Sequence, residues 1–227
     1  MEYRFIGDTV PAVEMKLNSG ESIFTQRGGM IWQSEGIEMQ TNTNGGIMKG
    51  LGRMLAGDSL FMNTYQAKRD NATIAFGSTV PGKVVPIKLD NTRPGIIAQK
   101  GAFLCAESGI DLKVTLTKKI GAGLFGGEGF VLQDISGTGT AFLEVDGDMV
   151  EKELQAGEVI LVDTGNVVAF EKTCQYEITT VKGAKNIIFG GEGLFLTKLI
   201  GPGKIVLQTQ NFFDFAHRVM SLMPRSN

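Results

Sequence analysis

The sequence is poor in the residues that most often carry chemistry. Of 227 residues only one is a histidine, His217, one a tryptophan, Trp32, and two are cysteines, Cys105 and Cys174. A lone histidine and two cysteines outside any C-x-x-C spacing make no metal-ligand set, and no metal site is expected. Two cysteines form no disulfide framework, and free thiols in a reducing compartment are their expected state. No apolar run approaches the roughly 18 residues needed to cross a bilayer as a helix. The opening residues, MEYRFIGDTVP, carry neither a basic segment nor an apolar one. No secretory leader is read there, and a cytoplasmic location is expected. Charge of one sign is also lacking: 22 Lys plus Arg against 24 Asp plus Glu leave a net charge of −2. That balance offers polyanions no bulk attraction.

What the chain has in excess is glycine. Its 31 glycines are roughly twice the usual share for a globular protein. Without a collagen period or low-complexity runs, so much glycine marks many turns and therefore many short strands. Strand-like runs fill the spaces between the turns, among them AVEMKL (12–17), ATIAFG (72–77), TAFLEV (140–145), QYEITTV (175–181) and KIVLQT (204–209). Alternation of apolar and polar residues, clearest around Ala141–Val145, places one face on a core and one in water. The composition and patterning predict an all-β fold.

The glycines also recur in order. GDSLF at 57, GEGFV at 127 and GEGLF at 191 each run Gly, acid, small residue, then apolar residues. After the second and third, another glycine follows at the same offset, Gly139 and Gly203. Upstream, Gly28, Gly101 and Gly165 each have an isoleucine five residues earlier (Ile23, Ile96, Ile160) and an apolar pair just after. The two landmarks lie 29, 26 and 26 residues apart. This order predicts three like stretches of about 60–70 residues. Their bounds are 1–79, 80–147 and 148–210, with a C-terminal helix and tail at 211–227.

The repeat decides how GDSL is read. With DFAH at 214–217 it matches the two sequence blocks of the GDSL esterases, which would make Ser59 a nucleophile and Asp214 and His217 its acid and base. Ser59, however, stands where the other copies carry Gly129 and Gly193. A small residue in a tight connection is what that position requires. The G-x-N-D block of such esterases is absent, as are the alternating long helices of their fold. Ser59 is therefore expected to be structural, with no catalytic residue and no cofactor. Lys118 and Lys119 precede a glycine-rich stretch that has no phosphate-cradle spacing.

Two segments have helical spacing. IMKGLGRML (47–55) is short and weakened by its glycines. NFFDFAHRVMSLM (211–223) is stronger, with Asn211 as its cap, Asp214 in its first turn and Arg218 four residues later. Phe212, Phe215, Val219 and Met223 share one face, widened by Phe213 and Met220. That face is expected to dock on the chain's own body, or on a second copy or protein partner. His217 is expected half-buried at its edge, and Trp32 is expected in packing. The acids of the three glycine turns, Asp58, Glu128 and Glu192, are expected to accept N–H groups within their own turns; convergence on a cation is the other reading.

Taken together, GGIMKGLGRMLAGDSLFMNTY, GGEGFVLQDISGTGTAFL and GGEGLFLTKLIGPGKIVLQTQNFFDFA resemble the mitochondrial-biogenesis ("altered inheritance of mitochondria") family, across essentially the whole chain. With no transit-peptide-like start, the chain resembles that family's bacterial branch, whose role is unknown. Such proteins are similar in fold to the Trp RNA-binding attenuation protein. The resemblance implies three short double-stranded β-helix units in a pseudo-threefold arrangement, and no established enzyme activity. A non-enzymatic, self-associating interaction or scaffold protein is the leading expectation. An RNA-binding module and a small-ligand binder between repeats are the alternatives. Against RNA stand the charge balance, the single Trp, the three Tyr, and the lack of matching Lys/Arg positions in the three copies.

Overall fold

The computed structural model describes residues 1–26, 28–41, 62–90, 92, 94–118, 130–180 and 195–223. The first stretch of chain forms β1 (Glu2–Ile6), β2 (Ala12–Leu17), β3 (Ser22–Gln26), β4 (Met30–Gln33), β5 (Ile37–Thr41), β6 (Met62–Ala67) and β7 (Ala72–Gly77). The next forms β8 (Gly82–Leu89), β9 (Ile96–Gln99), β10 (Phe103–Glu107), β11 (Ile110–Lys118), β12 (Phe130–Gly137) and β13 (Gly139–Asp146). The last forms β14 (Met149–Leu154), β15 (Val159–Asp163), β16 (Val167–Glu171), β17 (Gln175–Thr180), β18 (Phe195–Ile200) and β19 (Gly203–Gln208). Short 3-10 turns at Lys100–Ala102 and Thr164–Asn166 precede β10 and β16, and helix α1 (Phe212–Ser221) closes the chain. The all-β expectation is borne out. The helical segment at 47–55 lies outside the described residues.

Among the described residues every ladder is antiparallel, and four sheets result: β1-β2-β7-β4, β5-β6-β3-β10-β13-β8, β11-β12-β9-β16-β19-β14 and β15-β18-β17. A common pattern runs through them. The orders β2-β7-β4, β8-β13-β10 and β14-β19-β16 match, as do β5-β6-β3, β11-β12-β9 and β17-β18-β15. The two six-stranded sheets arise where β10 pairs with β3 and where β16 pairs with β9. Those two joints make one body of strands that are distant in sequence.

The core follows the alternation of the strands. Met15, Ile74 and Phe76 pack with Cys105 and Phe142 in one cluster, and Leu132, Phe170 and Ile205 lie in another. Between them, Phe24, Phe103, Ile135 and Val168 fill a third, drawn from all three stretches of chain. Stacking of Phe24 on Phe103, with centroids 5.6 Å apart, spans the β3–β10 joint. Each phenylalanine removed from water this way contributes about 1.5–3 kcal/mol.

Two of the glycine landmarks have a local cause. Gly139 and Gly203 have φ of +139° and +147°, a region side chains avoid. Each opens a strand against a glutamate from the strand beside it. Glu107 accepts the N–H of Thr140, and Glu171 accepts the N–H of Lys204 at 2.9 Å. A Cβ on Gly139 would stand 3.0 Å from the Glu107 carboxylate.

Candidate functional site

Helix α1 starts over a cavity of about 160 Å³ framed by β13, β19 and the two 3-10 turns. Glu144 and Asp146 lie two residues apart on β13 and share a face. Glu144 accepts the Thr79 N–H at 2.8 Å and the hydroxyls of Ser78 and Thr79 at 3.2 and 3.4 Å. Asp146 accepts the N–H of Phe212, the first residue of α1, at 3.1 Å. The helix leaves that N–H without an internal partner, and its N-terminal partial charge favours an anion there. Burial pushes both carboxyls above their ordinary values. The bonds from Thr79 and Ser78 pull Glu144 back, and the bond from Phe212 does so for Asp146.

Gln208 ties this socket together. Its amide oxygen accepts the N–H of Asp146, and its amide nitrogen donates to the carbonyl of Gly165, both at 2.9 Å. Asn211 caps α1 as expected, accepting the Phe213 N–H at 3.1 Å and donating to Asp214 at 3.1 Å. An added Cβ on Gly165 would stand 1.8 Å from the Asn211 amide, whereas one on Gly101 would meet nothing within 4 Å. Of these two like positions, only the later one carries the weight of the helix start. Donors of the chain itself bond to both carboxylates, and the geometry seats the helix start.

Past its first turn, α1 is mostly exposed. None of its residues is buried. Phe215 is 53% exposed, Met220 55% and Met223 62%, and Phe212 and Val219 are exposed beside them. The face expected to dock is present, but no described residue covers it. The same geometry corrects the expectation for His217, which is exposed. No residue of α1 is buried, and a side chain at the edge of its apolar stripe shares that exposure. Trp32 also differs from expectation. It is 41% exposed on β4, with its indole N–H donating to Glu14 at 3.3 Å.

A wider cleft, about 630 Å³, lies between β8 and the β14–β19 ribbon. Ile87, Phe170 and Val206 form its apolar floor, with Lys88, Lys204 and Glu151 around it.

The other residues singled out in the sequence divide clearly. Ser59, Asp58, Glu128 and Glu192 lie outside the described residues, so the GDSL turn and its two relatives do too. Asp214 and His217 stand on α1 with exposed side chains. Cys105 and Cys174 are free and buried, and burial pushes the Cys105 thiol well up, away from thiolate reactivity. Among the described residues no helix is long and apolar enough to cross a membrane. Glu144, Asp146 and Gln208 went unnoticed in the sequence, because a polar residue at a strand end looks like any turn neighbour.

Comparison with known proteins places this geometry in context. The family model described as mitochondrial biogenesis AIM24 matches residues 3–210. An uncharacterized protein of Streptococcus pyogenes serotype M6 is 29% identical over 225 residues, covering 96% of this chain and 88% of that protein. The X-ray crystal structure of another Streptococcus pyogenes protein superposes with a TM-score of 0.80 at 25% identity, covering 98% of this chain and 99% of that one.

Proposed function

The chain belongs to the mitochondrial biogenesis AIM24 family, and on that premise we propose that it is a non-enzymatic β-rich scaffold that self-associates. One observation carries this reading: α1 is seated by a dedicated socket yet leaves Phe215, Met220 and Met223 in water. Building a socket for a helix start and leaving its apolar face bare makes sense if a second surface covers that face. A second copy of the chain supplies such a surface without a further partner. The polar side of α1, with Asp214, His217 and Arg218, is not the lysine-rich face of a membrane-surface helix. The three stretches of like strand order would then be three like units of one platform, 1–79, 80–147 and 148–210, with 211–227 as its attachment arm. Their arrangement about a pseudo-threefold axis, as in the attenuation protein, is part of this proposal.

The test is the light-scattering mass of the purified full chain as its concentration is raised. A mass above that of a single chain, rising with concentration, is expected. The mass of one chain at every concentration would refute self-association. The cleft beside Ile87 and Phe170 favours a second reading, a small amphipathic ligand with an apolar body, since its volume suits one. A thermal shift with a fatty acid, abolished by Val206→Glu, would support that reading.

A further inference from the structure

The cleft beside β8 has a filled counterpart elsewhere in the chain. β2 and β8 hold matching places in their strand orders, beside β7 and β13. Their ladders align them residue by residue: Lys16 faces Thr73 and Lys88 faces Thr140, while Glu14 faces Ala75 and Pro86 faces Phe142. Phe142 in turn holds the place of Val206 on β19, since each stands three residues after its glycine, Gly139 or Gly203. The outer side of β2 is covered by β1, which pairs with it from Glu2 opposite Lys16 to Ile6 opposite Ala12. From β1, the Tyr3 ring packs edge-on against Phe142 at 5.0 Å, and the Glu2 carboxylate meets the Lys16 ammonium at 3.9 Å. An apolar body and a carboxylate from one strand thus occupy the junction of the first and second stretches.

At the next junction the same place is open. No described strand pairs with the outer side of β8. The cleft of about 630 Å³ lies there, with Val206 in its floor where the first junction has Phe142. Lys88 stands at its rim in the place of Lys16, and among the described residues no carboxylate pairs with it as Glu2 pairs with Lys16. A strand like β1 does not suit this edge. Pro86, in the place of Glu14, has no N–H to give one, and prolines within sheets are confined to edges for that reason. The cleft therefore suits a molecule that needs no ladder, and its volume lies in the range of small-ligand sites.

We propose that this cleft binds a fatty-acid-like carboxylate, with its chain on Ile87, Phe170 and Val206 and its head group at Lys88. The chain takes the place that Tyr3 fills at the first junction, and the head group takes that of Glu2. Two carboxylates of the chain also line the cleft. Glu171 is engaged, accepting the N–H of Lys204 at 2.9 Å. Glu151 is exposed on β14, across the cleft from β8, and repels an anion, which sets the head group at the Lys88 side. Lys88 is itself exposed. The head group therefore contributes selectivity, and the apolar floor contributes most of the affinity. The inference rests on the small-ligand reading and adds to it the charge and the orientation of the ligand.

The test is calorimetric titration of the full chain with two probes of one chain length, decanoate and decanol. Decanoate is expected to bind about fivefold more tightly than decanol, the preference an exposed ion pair allows. Lys88→Gln is expected to remove that preference and leave decanol binding unchanged, and Glu151→Gln to enlarge it. Val206→Phe, which installs the ring that the first junction has in this place, is expected to abolish binding of both probes. Circular dichroism checks the fold of that variant. If it does not fold, the titrations of Lys88→Gln, an exposed position outside the core, decide. Equal affinity of the parent for the two probes, or a preference that survives Lys88→Gln, overturns the head-group assignment while the small-ligand reading stands. Binding of both probes that persists in folded Val206→Phe overturns the site. Binding of neither probe to the parent overturns the small-ligand reading and the inference with it.

Discussion

Phe142 and Phe215 are the same residue type in one chain and meet opposite fates. Phe142 lies on β13 with no exposed surface, in edge-on contact with Tyr3 at 5.0 Å between centroids. Phe215 lies on α1 and is more than half exposed. Four residues beyond Phe142, on the same strand, Asp146 anchors the helix that carries Phe215. The body buries its aromatics, and the arm leaves Phe212 and Phe215 exposed. On the proposed reading the fold is insensitive to the arm's apolar face, whereas association depends on it.

Substitutions on the two sides should separate accordingly. The largest effect is expected for Phe142→Ala, which empties a fully buried site and should cost about 3–5 kcal/mol in a denaturant titration. A loss below about 1 kcal/mol would mean that the core is not closed around this ring. Gly165→Ala comes next. Its Cβ collides with Asn211, so the helix cap is displaced, a loss of about 1 kcal/mol. Gly101→Ala, with open space around it, should change stability far less. Equal effects of the two would remove the socket from the account.

Smaller still is the pH effect of Glu144. Its carboxyl is raised above 4.5 chiefly by burial, so the unfolded chain loses this proton at lower pH than the folded one does. Between those two values the folded state holds more protons, and its stability falls as pH rises through the window. Glu144→Gln keeps an oxygen to accept the Thr79 N–H and removes the charge. It should raise the melting temperature at pH 7 and flatten its decline from the ordinary glutamate value upward. A melting temperature lowered at every pH would show that the charged form is the one the fold prefers.

Much of the body was legible in the sequence, for physical reasons. β2 and β7 fall where AVEMKL and ATIAFG predict them, because AVEMKL alternates in polarity, ATIAFG is a short apolar run, and turn residues (Pro11, Asn18, Asn71, Gly77) bound them. β14, MVEKEL, gave no such signal. It is a sheet edge with three consecutive charges in water, so no alternation was required of it. α1 was legible through Asn211 and its apolar stripe, but periodicity reports that a face is apolar and says nothing of what covers it. The socket was not legible. Its bond from Phe212 to Asp146 joins residues 66 positions apart, and only the folded register brings them together.

The smallest effect on stability is expected at Phe215, and it gives the most direct measurement. Phe215→Glu places a charge on the exposed face of α1, where it should move folding stability by no more than about 0.5 kcal/mol. The same protein, compared with the parent by light scattering at matched concentrations, should show a lower mass with an unchanged melting temperature. Unchanged mass together with unchanged melting would contradict the claim that this face is the scaffold's contact surface.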